Sequence, residues 1–168
     1  MPEEFSEGEG FENLDRPPAF FPYNREDPER EAGEFGELIE VRVDGIYAQE
    51  EGGRVSRFVL LADYRRKLRI EIGGFESQAI QLVLEGTRPD RPLTHDLLKN
   101  VLERLGGEVD RVVIDDFWNS VFYAKLYLSV EGQELEIDSR PSDAIALAVR
   151  FEAPIFVADA LLDLDLAA

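Results

Sequence analysis

The chain has 168 residues, 44% of them hydrophobic, with 36 acids against 18 bases, a formal charge of −18 and no cysteine. That length allows one domain with its own core, and the missing cysteines exclude disulfides, thiolate nucleophiles and cysteine-ligated zinc. No apolar run is long enough to cross a membrane, and the acidic start, Met1 to Gly10, lacks the apolar segment of a secretory signal, so a cytoplasmic protein with no membrane partner is expected.

The first 37 residues hold 12 acids and three arginines, half of the net charge. Residues 1–36 include Pro17, Pro18, Pro22 and Pro28 and show no period of 2 or 3.6. They are expected to form a disordered acidic arm, interrupted by the apolar patch Ala19-Phe20-Phe21-Pro22-Tyr23. An acidic surface repels nucleic acid over a Debye length of about 8–10 Å. High salt would screen that repulsion, and the scarcity of lysine (Lys67, Lys99 and Lys125 only) fits salt adaptation. A divalent cation held by carboxylates would reverse the local sign.

From residue 37 to 168 the pattern is that of a folded domain. Leu38 to Ile46 alternates as a strand, Gln49 to Gly53 reads as a polar loop, and Val55 to Ala62 is a second strand. Asp63 to Arg66 turns the chain into a third, Lys67 to Ile72, with Leu68, Ile70 and Ile72 on one face. Gly73-Gly74 breaks it, and Ala79, Ile80, Leu82, Val83 and Leu84 recur at helical spacing up to Gly86. Leu97 to Leu105 is an amphipathic helix closed by Gly106-Gly107. Strands follow at Val109–Asp115, Val121–Val130 and Glu134–Asp138, with Asp115-Asp116 read as a strand-end turn. A helix spans Ser142 to Phe151, Ala153 to Val157 is a short strand, and Ala160 starts a last helical turn.

The second half repeats the first. A shift of 65 carries Ile70 to Leu135, Ile72 to Ile137, Ser77 to Ser142 and Ile80 to Ile145. Upstream of Gly52-Gly53 the shift is 71, carrying Val41 to Val112, Val43 to Ile114 and Asp44 to Asp115. The expected fold is therefore α+β, two pseudo-repeated β-β-β-α units with additional helices. Loops from both units would meet at their interface, a natural place for a site.

Polar groups concentrate at three helix starts: Gly73 to Gln78, Arg91 to Asp96, and Asp138 to Asp143. Amide N–H groups and the helix dipole favour anions there, and a phosphodiester is such an anion. His95, the only histidine, is the candidate for acid–base chemistry near neutral pH. Glu76, Asp96, Asp138 and Asp143 could act with it or hold Mg2+ or Mn2+, because hard cations take oxygen ligands. Arg91 and Arg140 suit phosphate oxygens, with Thr94 and Ser142 beside them. Each residue also has a structural reading: Thr94 and Ser142 as N-caps, Asp96 and Asp143 complementing helix dipoles, and Asp138 pairing with Arg140. Trp118 and Phe122 could stack a base but fit core or subunit packing better.

At these segments the chain resembles the bifunctional nuclease family. The resemblance rests on Leu68 to Gly73 with Glu76 to Ile80, on Arg91-Pro92-Leu93-Thr94-His95-Asp96-Leu97-Leu98, and on Asp138-Ser139-Arg140-Pro141-Ser142-Asp143-Ala144-Ile145-Ala146-Leu147-Ala148. It covers about residues 38 to 163 and implies a compact α+β fold, self-association into a homo-oligomer, and nuclease activity on DNA and RNA. It carries the activity and no set of catalytic residues. Ser77 stands where the family usually has alanine. The short helical hairpin that follows the domain in many bacterial members is not found before Ala168, which puts a repair-partner role in doubt. Two readings result: a nuclease, with a divalent cation as candidate cofactor, or a non-catalytic oligomeric module that binds an anion in the same pocket. The composite site requires the three segments to meet.

Overall fold

A computed structural model describes residues 36–164. The expected acidic arm lies, but for Gly36, outside the described residues. The elements in chain order are β1 (Leu38–Glu51), β2 (Arg54–Ala62), β3 (Lys67–Ile72), α1 (Gly74–Leu84), α2 (Thr94–Arg104), β4 (Gly107–Trp118), β5 (Val121–Val130), β6 (Gln133–Ser139), α3 (Pro141–Phe151), β7 (Ile155–Ala158) and α4 (Asp159–Leu162). The strands form one sheet in the order β3-β2-β1-β7-β4-β5-β6, an α+β architecture. No described helix is long and apolar enough to cross a membrane.

Each half of the chain is an antiparallel meander followed by a helix, and the two meanders lie in mirrored order on either side of β7. β7 pairs antiparallel with β1 and parallel with β4, joining both halves. The alternation of β3 buries Leu68, Ile70 and Ile72 as the sequence pattern requires. They pack in one core with Val59, Leu61, Ile80, Ile114, Ile145 and Leu161. Burying such side chains contributes about 1.5–3 kcal/mol each.

Two sequence readings are corrected. The polar stretch Gln49–Glu51 is strand, pairing with Arg54–Ser56, and the loop shrinks to Gly52-Gly53. Both glycines have positive φ, 57° and 80°, which a two-residue hairpin turn demands and glycine adopts without strain. The arm reads as a loop because its residues are exposed and need no apolar alternation. Asp115-Asp116 is no turn, since β4 runs on to Trp118. Asp115 is instead the extra residue of a β-bulge, as Asp44 is in β1. Asp44 and Asp115 are the pair related by the shift of 71, so the repeat extends to a matched irregularity. Each bulged aspartate meets a lysine, Asp44 with Lys67 at 3.0 Å and Asp115 with Lys125 at 2.7 Å.

The amphipathic helix α2 forms as expected; Leu102 packs against the core, but most of its apolar face is not covered by the described residues: Leu97 is 57% and Leu105 68% exposed, and no residue of α2 is buried. Polar contacts to α3 also hold it. The buried Arg150 donates from Nε to Asp96 Oδ1 (2.7 Å) and from Nη1 to the carbonyls of Ala79 (2.9 Å) and Ala146 (2.8 Å). Lys99 Nζ donates to the Arg150 carbonyl (2.8 Å) and lies over the Phe151 ring. One guanidinium thus ties α1, α2 and α3 together. Removing one partner of a buried, hydrogen-bonded ion pair costs about 3–5 kcal/mol. Arg150→Met should therefore lower unfolding stability by that amount in urea titration. A loss below about 1 kcal/mol would show that α2 is held by other contacts.

Candidate functional site

The three polar segments meet. Arg140 precedes α3 as its N-cap residue, with Pro141 at the first helical position, where a missing N–H costs nothing. Its Nε donates to Asp143 Oδ2 (2.7 Å) and its Nη1 to Glu76 Oε1 (3.2 Å) at the start of α1. Asp143 Oδ1 lies 3.0 Å from His95 Nε2 at the start of α2. The result is a continuous chain, Glu76–Arg140–Asp143–His95, linking both units and three helix N-termini. Its members differ in access: the His95 side chain is 13% exposed and that of Arg140 66%. Gly73 makes the Glu76 end possible, because a Cβ there would collide with the Glu76 carboxylate.

The remaining candidates stand apart from this chain. Asp96 is taken by Arg150 and by the backbone N–H of Leu93 (2.9 Å), so it positions α2. Thr94 is the first residue of α2 and not its cap, which is Leu93; the chain reverses onto Asp96 in place of a threonine hydroxyl. Ser142 is likewise not the cap of α3 but lies buried inside its first turn. Asp138 is exposed on β6 opposite Lys125 and is not joined to Arg140, because strand alternation directs it away from the helix starts. Arg91 and Thr94 are exposed and make no side-chain hydrogen bond among the described residues. Phe122 is buried against Phe117 (ring centroids 4.6 Å apart), as the packing reading required.

The carboxylates do not form a cation's coordination shell in this arrangement. Among the described residues no three Asp, Glu or His side chains converge on a common point. An incoming Mg2+ or Mn2+ would have to draw Glu76 and Asp143 away from Arg140. The sequence reading missed Arg150, which sets the position of His95. Its signal was present: a lone charge in the apolar run Ala144 to Phe151, one turn beyond Ala146, where solvent exposure is not available.

The His95 hydrogen bond, against the opposing effect of burial and with help from Arg140, holds the Asp143 carboxyl down at about 2. Burial works against the charge of Asp96 too, but the bonds from Arg150 and Leu93 N–H keep its carboxyl below the usual range. Asp143 beside it keeps the Arg140 guanidinium protonated more firmly than usual. As pH falls, the unfolded chain takes up the Asp143 proton first. The stabilisation is therefore complete above about pH 4 and lost as pH falls towards 2. Between those limits the wild-type chain should lose on the order of 1–2 kcal/mol more than Asp143→Asn, read from urea unfolding at each pH. Parallel curves would refute the pairing.

A family model described as the bifunctional nuclease domain matches residues 59–166. An uncharacterized protein of Mycobacterium tuberculosis is 37% identical over 123 residues, 73% of this chain and 73% of that protein. Bifunctional nuclease 1 of Oryza sativa subsp. japonica is 37% identical over 87 residues, 49% of this chain and 26% of the plant protein. Bifunctional nuclease 2 of Arabidopsis thaliana is 37% identical over 70 residues, 40% of this chain and 21% of the plant protein. The plant proteins are thus matched over about a quarter of their length, while the family model spans β3 to α4, including every residue of the Glu76–His95 chain. The chain belongs to the bifunctional nuclease domain family.

Proposed function

We propose that this chain hydrolyses phosphodiester bonds of DNA or RNA at the Glu76–Arg140–Asp143–His95 chain. The observation that carries this reading is the bond from His95 to Asp143, formed between two segments 48 residues apart beside an exposed guanidinium. With Nε2 turned to Asp143, Nδ1 is the ring nitrogen left to exchange a proton. In hydrolysis a water oxygen bonds to phosphorus, the ester P–O bond breaks, and the water proton passes to His95 Nδ1. Asp143 steadies the resulting imidazolium through Nε2, and the same ring can return the proton to the leaving oxygen. Arg140 still has Nη2 without a partner, and that edge can receive a non-bridging phosphate oxygen. The N-terminal amides of α3 add positive potential there.

A cation, if used, would supply further charge neutralisation, and a chelator tests that separately. The exposed stripe on α2 supports self-association of the domain, since large uncovered apolar patches mark interaction surfaces. A non-catalytic anion-binding module remains the competing reading. It is favoured by one feature: Arg140 is already bonded to two carboxylates, as in a structural ion-pair network.

With highly purified protein and single-stranded DNA and RNA substrates, His95→Ala should reduce the cleavage rate by about 10²-fold or more. Asp143→Asn should reduce it by a smaller factor. Cleavage that survives both substitutions unchanged would assign the activity elsewhere, and no cleavage by the wild-type chain with or without Mg2+ or Mn2+ would favour the binding module. Leu97→Glu should lower the molar mass measured by light scattering from that of an oligomer towards that of one chain. An unchanged mass would free α2 of any part in assembly.

A further inference from the structure

Beside Arg140 lies a cleft of about 880 Å3 between the two repeated units, within the size range of ligand sites. Arg140 and Arg69, from β3, both line it, as do Phe117 and the largely buried Phe122. Arg69 differs from many bases of this acidic chain. Arg66, Lys67, Lys99, Arg111, Lys125, Arg140 and Arg150 each meet a carboxylate. Arg69 meets none among the described residues; its guanidinium lies 3.9 Å from the centroid of the Phe58 ring, which is itself stacked on Tyr47. Stacking fixes the guanidinium plane and leaves its N–H edge unbonded, the arrangement that suits a phosphate. Several exposed arginines also lack a carboxylate, but Arg69 is the one that lines the cleft.

We propose that this cleft binds a single-stranded segment of nucleic acid, with Arg69 holding a backbone phosphate next to the one presented to Arg140. The proposal rests on the phosphodiesterase reading above and adds the substrate class. One observation favours a single strand over a duplex. The chain is strongly acidic, and duplex DNA carries one charge per about 1.7 Å of axis, against about 3.4 Å for each strand. Glu51, Glu71 and Glu76 also line the cleft, and they confine an anionic strand to the path between the two arginines.

The test is fluorescence anisotropy with the full chain carrying His95→Ala, so that the strand stays intact. The probes are a labelled DNA or RNA oligonucleotide, single-stranded or annealed to its complement. Single strands should bind at least about tenfold more tightly than the duplex. Adding Arg69→Ala should weaken single-strand binding about five- to tenfold and reduce the salt slope by about one. Arg69→Lys should restore part of the loss, and Arg104→Ala, which removes an exposed unpaired charge from the end of α2, should have little effect. Circular dichroism establishes that each variant is folded. Equal binding by Arg69→Ala, an equal loss with Arg104→Ala, equal affinity for duplex, or no binding of any nucleic acid would each overturn the proposal. Arg69-dependent binding by a wild-type chain that cleaves nothing would uphold the groove and refute the hydrolysis reading alone.

Discussion

The arrangement at the candidate site depends on one buried guanidinium. Arg150 lies in the apolar half of α3 and bonds to a carbonyl of α1, a carbonyl of its own helix and the carboxylate of Asp96 on α2. No residue of α2 is buried, so hydrophobic burial alone does not fix that helix. Its orientation comes from directional bonds, and His95, one residue from Asp96, is placed by the same bonds. A buried charge is costly unless fully hydrogen-bonded. Here the cost secures geometry: Asp143 and Arg150 lie two turns apart on α3, and His95 and Asp96 meet them in the same order.

Much of this was legible in the sequence. All seven strands and four helices were visible from period and punctuation, because β3, β5 and α3 have strong apolar patterns. The shifts of 65 and 71 found the duplication, and the matched bulges at Asp44 and Asp115 give it physical content. The three polar helix starts could also be read, since Gly, Pro and Ser or Thr beside acids mark such junctions. The hairpin arm at Gln49–Glu51 could not, because a two-sided polar ribbon has no alternation to detect. The true caps escaped as well: backbone geometry selects Leu93 and Arg140 where residue preference points to Thr94 and Ser142. Asp138 shows the remaining limit. It is adjacent in sequence to the site and absent from it, because strand parity decides which neighbours face inward.

The charge balance acquires a different meaning once contacts are known. A net −18 argues against nucleic acid as a partner. Many of the described bases are neutralised locally, which deepens that argument for the surface at large. The cleft differs: Arg140 keeps an open edge despite two carboxylates, and Arg69 rests on an aromatic ring without any. A short anionic segment would have to reach only those two arginines, while a long rigid polyanion would also meet the acidic surface. Selectivity in such a molecule comes as much from what the surface rejects as from what the groove accepts.

β7 has a consequence for how the chain reaches its folded state. It occupies the centre of the sheet, yet its pairing partners on β1 lie more than a hundred residues earlier. Each meander can assemble from local hairpins, but the seam between them waits for the last strand. Closing so long a loop carries a large entropic cost before any contact rewards it, and topologies rich in such pairings fold slowly. During synthesis the first meander must stand with the inner edge of β1 unpaired until residues 155–158 emerge. Unpaired edges invite the wrong partner. The polar, glutamate-bearing far end of β1 is the kind of edge that resists it.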